Sequence, residues 1–268
     1  MPTQPDPATQ ARTKFDTPSP PGGLDIVLRY ATDPPLAIRT LLDAIRPATT
    51  PGARICELGF GSGWLLEEMR TAFPETRLHG LDMSRTFAHA AHAAHGNAVR
   101  IALGDMERLP FRDDSLDAIV TCWTLFFIND IDRAVAEAKR CLKPGAVFVA
   151  ATIAPDHMRE FDALVTDAVR AALGRDRDPD IAYRFDTETG AAYIERAFPD
   201  HELHEWRGEM PLPDIDSVMA LWPNYGPQLT GAEDTAARTE FERLARARIA
   251  NEGAFHITRH DGAFIARA

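Results

Sequence analysis

Glu57 stands two residues before the first of three alternating glycines, Gly59, Gly61 and Gly63, in the stretch ELGFGSG. Glycines this close together let a backbone come up against a ligand, and a carboxylate beside them suits a ligand with a cationic end. Asp82 in GLDMS and Asp105 in GDMERLPF close two further apolar runs. A carboxylate about 20 residues past a glycine loop can accept both hydroxyls of a ribose. Asp105 is placed to accept a hydrogen bond from an adenine amino group. A phosphate loop would end in Gly-Lys-Ser/Thr, and this loop has no Lys. The dinucleotide fingerprint is G-x-G-x-x-G, with a helix N-terminus against a pyrophosphate. Here the spacing is G-x-G-x-G, and an acid precedes it. Taken alone, the loop is equally readable as a plain turn.

Such residues act together only if strand ends are brought side by side. ARICELG is a strand by its apolar run, WLLEEMRTAF a helix ended by Pro74, and RLHGLD a strand. SRTFAHAAHAAH is a helix closed by Gly96, VRIAL and LDAIVTCW are strands, IDRAVAEAKRCL is a helix and AVFVAATI a strand. Upstream, Asp33 followed by Pro34 and Pro35 is a helix start. Nearly all-apolar strands alternating with helices predict an α/β, doubly wound, mostly parallel sheet, with ligands beyond the carboxyl ends of its strands. Further on, Asp156 to Leu173 and Thr187 to Phe198 are helical patterns, HELHEWRGEM is a strand, and Thr235 to Ala250 is a long helix. AFHITRHDGAFIAR suggests two strands around an Asp261-Gly262 turn. Residues 1–23, rich in Pro, Thr and Gln, are expected to be a flexible tail, and 24–268 one domain in which 211–251 form a helical cap or lid before the last strands.

ELGFGSG, GLDMS, GDMERLPF and CLKPG, in this order and spacing, resemble the class I S-adenosylmethionine-dependent methyltransferases, and among them the small-molecule type that includes quinone-biosynthesis enzymes. The resemblance is specific over about Leu24 to Ile153 and holds only in outline beyond. It implies a seven-stranded Rossmann-like sheet with a partly helical C-terminal cap, S-adenosylmethionine as cofactor and S-adenosylhomocysteine as product. Glu57, Gly59, Phe60, Gly61 and Gly63 would hold the methionine part, Asp82 the ribose, Met83 the adenine face, and Asp105 with Met106 the adenine edge. Thr121, Cys122 and Trp123 would line the sulfonium side, and Tyr30, with Arg29 beside it, would close over the methionine carboxylate. Two positions depart from the family pattern. Phe60 stands where a small residue is usual, and Ala146 where a second glycine follows Pro-Gly.

Methyl transfer from a sulfonium is an in-line displacement, which proximity and orientation can accelerate without a catalytic triad. A general base is needed only for an acceptor whose proton must leave early. His256 and His204 are the histidines to test for that role. Phe126 and Phe127, past the fourth strand, and Trp222 and Tyr225, beside loop prolines, are candidates for the substrate pocket. His89, His92 and His95 lie three apart on a helix and drift around its surface, so no metal site is expected.

Hydrophobic residues make up 45% of the 268 residues and charged ones 26%, as in an ordinary globular protein. A net charge of −11 weighs against a nucleic-acid backbone as ligand. No apolar run is long enough to span a bilayer. No hydrophobic segment opens the chain, and Cys56, Cys122 and Cys141 are spaced neither for a metal nor as CxxC. These features point to reduced thiols in the cytoplasm. The reading is a methyltransferase for a small-molecule acceptor, without membrane or nucleic-acid partner. The acceptor, the methylated element and the oligomeric state, a homodimer included, stay open. A non-catalytic S-adenosylmethionine-binding protein and an NAD-dependent oxidoreductase are the alternatives.

Overall fold

Strands covered on both faces are apolar almost throughout. RICEL and LDAIVTC bury nearly every residue in the structure, a computed structural model that describes residues 6–16, 23–32, 34–177 and 180–268. The strands are β1 (Arg54–Leu58), β2 (Arg77–Asp82), β3 (Val99–Leu103), β4 (Leu116–Cys122), β5 (Leu142–Ile153), β6 (His201–Leu212) and β7 (Phe255–Arg267). They form one sheet in the order β3-β2-β1-β4-β5-β7-β6. Pairings from β3 across to β5 are parallel, and β7 runs antiparallel to both β5 and β6. The order reverses between β1 and β4, and it is at such a switch point that a ligand crevice opens.

The helices are α1 (Pro7–Asp16), α2 (Gly23–Tyr30), α3 (Pro34–Ile45), α4 (Trp64–Ala72), α5 (Arg85–His95), α6 (Ile131–Cys141), α7 (Arg159–Leu173), α8 (Thr189–Ala197), α9 (Ile215–Met219), α10 (Trp222–Tyr225) and α11 (Gly231–Glu252). Polar caps set the start of α5 and α6. The Ser84 hydroxyl accepts from the Phe87 N–H (3.2 Å) and the Asp130 carboxylate from the Arg133 N–H (3.0 Å). Two apolar clusters cover the faces of the sheet. Leu41, Leu66 and Met69 lie on the side of α3 and α4, and Val135, Phe198 and Phe264 on the side of α6 and α8. A third cluster, with Phe161, Phe241 and Trp222, joins α7, α9, α10 and α11 to the far ends of β6 and β7.

Three sequence expectations change. Residues 7–16, expected within a flexible tail, form α1. Its Phe15 ring packs 5.3 Å from Phe127 and 5.9 Å from Phe87, and its Asp16 carboxylate accepts from the Ser84 hydroxyl at 2.6 Å. The rest of that tail, and Asp33, lie outside the described residues. Asp261-Gly262 is not a turn: β7 runs straight through it, pairing Asp261 with Ile153 and Trp206, and Gly262 with Thr152 and Glu205. Glycine is needed at 262 for space, since a Cβ would lie 2.6 Å from Thr187 Cγ2. Last, Phe60 is core. It is 1% exposed and fills the hole left by Gly80 in β2, where a Cβ would meet Phe60 Cδ1 at 2.9 Å and Leu66 Cδ1 at 3.0 Å. Gly80→Ala is therefore expected to cost about 1–3 kcal/mol by overpacking and to lift the glycine loop. Urea melts would show the first effect and calorimetry with S-adenosylhomocysteine the second.

Candidate active site

The glycine loop turns at the switch point because its backbone is left-handed at Gly59 (φ 70°), Gly61 (φ 52°) and Gly63 (φ 80°). The Gly59 N–H donates to the Leu81 carbonyl at 2.7 Å, which ties the loop to β2. A side chain at 59 would also strike Thr124, since a Cβ would lie 2.3 Å from Thr124 Cγ2. Asp82, at the end of β2, holds the loop from below. Its Oδ2 accepts the Gly61 N–H and its Oδ1 the Ser84 N–H, each at 2.8 Å. Burial pushes the Asp82 carboxyl up, backbone hydrogen bonds pull it down, and Asp16 of α1 adds to the rise.

Glu57 points from β1 towards the N-terminus of α4. It is 1% exposed, and its Oε2 has no hydrogen-bond partner among the described residues. Burial pushes its carboxyl well above the usual range, Asp82 pushes further, and the Leu66 N–H pulls back. Two buried carboxyl groups thus sit near each other beneath a loop of glycines. A ligand with an ammonium and a ribose fits this arrangement: Glu57 would take the cation, Asp82 the ribose, and the glycine backbone would lie against the chain between.

The residues assigned to adenine stand at the ends of β2 and β3. The Asp105 Oδ1 accepts from the Glu107 N–H (2.9 Å), Met106 is buried, and Met83 packs against the core at the end of β2. At the end of β4, Thr121 and Cys122 are buried within the sheet, and burial keeps the Cys122 thiol far from ionising. Trp123, with φ 51°, turns out of the strand. Its ring lies 6.1 Å from that of Trp64, the first residue of α4. Trp64 was not anticipated, although its place directly after the loop is visible in the sequence.

Of the four aromatics expected at the substrate pocket, Phe126 is buried in the core, and Phe127 packs against Phe15 of α1. Trp222 packs 4.9 Å from Phe241, and its indole N–H donates to Asp234 (3.0 Å), within the third apolar cluster. Tyr225 lies at the end of α10, close enough to Arg259 and Asp261 for both charges to act on its hydroxyl. Tyr30 packs against the same third cluster, with the Arg29 guanidinium 5.3 Å from its ring centre. The structure does not bring His204 or His256 to the loop. His204 is exposed on the edge strand β6 beside Glu202 (3.0 Å), and His256 is exposed near the start of β7. His89 and His92 are exposed on α5, while His95 turns in to within 3.5 Å of Glu67. Beyond the end of β5 stands a histidine the sequence reading passed over, His157, with Asp261 and Arg259 of β7 beside it. An open hollow between α7 and α11, lined by Ala172, Ala236 and Glu240, contains none of these residues.

The strand order, with the glycine loop at its switch point, matches the Rossmann-like fold of methyltransferases. Residues 56–150 match the family described as a methyltransferase domain. The chain is 33% identical over 109 residues to a malonyl-[acyl-carrier protein] O-methyltransferase of Hahella chejuensis, over 40% of this chain and only 39% of that enzyme's length. It is 29% identical over 216 residues to the enzyme of that description in Geobacter sulfurreducens, over 73% of this chain and 78% of the other. A solved structure of a candidate type II methyltransferase from Anaeromyxobacter dehalogenans shares the fold at TM-score 0.61 and 22% identity, over 87% of this chain and 96% of that one. Residues 56–150 are thus similar to a methyltransferase domain, and the donor that the resemblance implies for it is S-adenosylmethionine. Bound at this site, it supplies an electrophilic methyl group on a positively charged sulfur.

Proposed function

We propose that this protein transfers the methyl group of S-adenosylmethionine to a nucleophilic atom of a small-molecule acceptor. The observation that carries the reading is the pair of buried carboxylates, Glu57 and Asp82, beneath the glycine loop, with Glu57 Oε2 left unpartnered. Such a site is unfavourable when empty and is relieved by a cation. The chain's own contribution to rate is orientation: the tryptophans at the ends of β4 and α4 exclude water, and residues 211–251 act as the cap over the acceptor. The names of the curated relatives support an oxygen atom as acceptor. A net charge of −11 supports a small molecule over a nucleic-acid backbone. Three buried, unpaired cysteines support a cytoplasmic setting, and no described helix is long and apolar enough to cross a membrane.

Burial and Asp82 both disfavour the charged form of Glu57, whereas a cation bound beside it favours that form and so the loss of its proton. Binding of S-adenosylmethionine is therefore expected to release up to about one proton and to tighten as pH rises. Calorimetry in two buffers of different ionisation enthalpy reads the proton count. Glu57→Gln should abolish the release and weaken binding. No heat of binding in the wild type would sink the proposed function.

A further inference from the structure

The chain joins β3 to β4 through a loop, 104–115, that contains no helix. The side of the sheet that this loop meets through Phe111 carries three arginines, Arg54, Arg77 and Arg100. Alternation along each strand puts them there. Arg54 shares a face with Cys56 and Leu58, Arg77 with Leu81, and Arg100 points away from the face of Val99 and Ile101. Arg54 and Arg77 are neighbours across the β1–β2 register, and Arg100 is the neighbour of His79 across β2–β3. Arg77 and Arg100 are exposed, and Arg54 is half-buried. Like charges on facing strand positions repel, yet no described residue forms an ion pair with any of the three. Asp117 of β4, beside Arg54, is taken by Lys143 (2.7 Å) and by the Arg54 N–H (2.8 Å). Other arginines have acids: Arg70 pairs with Glu67, Arg140 with Asp113 and Glu137, and Arg246 with Glu242. Acids are plentiful in a chain of net charge −11, so their absence from this patch is local.

His79 is the floor of the patch. Its ring meets Phe111 edge-on at 5.5 Å, and Arg54 and Arg100 are close enough for both charges to act on it. The residue is 7% exposed, and its Nε2 has no hydrogen-bond partner among the described residues. Buried polar groups ordinarily have one. The patch stands apart from the cofactor crevice. Arg77 and Asp82 are the first and last residues of β2, about 16 Å apart at the rise of a strand.

We propose that Arg54, Arg77 and Arg100 form a second ligand site, for a small anion carrying two or three linked phosphate groups. Guanidinium meets phosphate oxygens with paired N–H bonds, and the charge of a di- or triphosphate matches three guanidiniums. Such an anion lies across the amino-terminal ends of three strands. It offsets the repulsion between Arg54 and Arg77 and brings negative charge beside the His79 ring. A nucleotide and an inorganic chain present the same phosphates, and the test separates them. The site goes beyond the methyl-transfer reading and does not depend on it.

The test titrates the full chain with tripolyphosphate and, separately, with ATP, by calorimetry in low-salt buffer. S-adenosylhomocysteine is present in the ATP arm, so that the nucleotide does not enter the crevice through its adenosine. Tripolyphosphate should fill one site per chain, with an affinity that falls as salt rises. Inorganic phosphate should bind about tenfold more weakly or worse. Arg77→Ser and Arg100→Ser should each weaken tripolyphosphate about tenfold or more. Arg238→Ser, which removes an exposed arginine of α11, should stay within twofold of wild type. Arg77→Glu sets an acid opposite Arg54, so it should abolish binding while the free protein melts at or above wild type. In protein with 15N-labelled histidine, the anion should move the His79 ring signal and leave that of His157 in place. ATP bound more tightly than tripolyphosphate assigns the site to a nucleotide, and equal or weaker binding to an inorganic chain; both support the proposal. No saturable binding of tripolyphosphate overturns it, as does an unmoved His79 signal. Equal losses in Arg238→Ser and Arg77→Ser also overturn it, since they mean diffuse attraction without a site. The tripolyphosphate arm holds whether or not S-adenosylhomocysteine binds, so this proposal and the methyltransferase reading fail separately.

Discussion

Asp82→Ala is expected to weaken S-adenosylmethionine binding by roughly 100-fold or more, through two separate losses. The first is the charged acceptor for the ribose, worth about 1.5–3 kcal/mol as a hydrogen bond to an ionised group. The second precedes any ligand. Asp82 already accepts the N–H groups of Gly61 and Ser84, each at 2.8 Å, and alanine leaves both donors without that partner. The Gly61 N–H holds the glycine loop and the Ser84 N–H stands at the start of α5, so one truncation loosens both walls of the crevice. Leaving a buried donor unmade costs about 1–3 kcal/mol, so the apo protein should also melt earlier. Asp82→Asn separates charge from shape. Its amide can accept one of the two N–H groups but turns a donor towards the other, so the loop is still disturbed. Calorimetry and thermal melts on the three proteins test this. An Asp82→Ala protein that binds within threefold of wild type would show that the carboxylate only braces the loop.

The cofactor half was legible because its signals are local. A glycine at 59, 61 or 63 reports its own backbone angle, and Asp82 and Asp105 each follow a strand recognisable from its apolar run. The parallel core was legible for the same reason. What failed was decided by contacts remote in sequence. Phe60 looked like a loop residue because Gly80, which makes room for it, is in another strand. Asp261-Gly262 carries the chemistry of a hairpin turn, but pairing on both sides and the close approach of Thr187 keep it extended. The polar segment 6–16 has little to announce a helix, and Phe15 and Asp16 find their partners only in α5 and after β4.

His79 gives the second large effect, and it concerns stability rather than binding. Its ring is buried in β2, 7% exposed, with an edge-on contact to Phe111 (5.5 Å) and no hydrogen bond at Nε2 among the described residues. Burial first, then the positive charges of Arg54 and Arg100, lower its pKa from 6.5 to about 4. The folded protein therefore refuses a proton that the unfolded chain accepts. Between pH 6.5 and about 4 the unfolded state binds more protons, so stability falls as pH falls through that window. It is unaffected by this group above it. The accumulated loss by pH 4.5 is about 2.5 kcal/mol, or roughly 5–10 °C in melting temperature. Other groups also titrate on the way down, so the clean reading is a difference. His79→Leu removes the proton site and the unpartnered nitrogen together, and should melt near wild type at pH 7. At pH 4.5 it should melt about 5–10 °C above it. Equal melting temperatures for the two proteins at pH 4.5 would mean that the folded state opens to water at β2 and lets the ring charge in place.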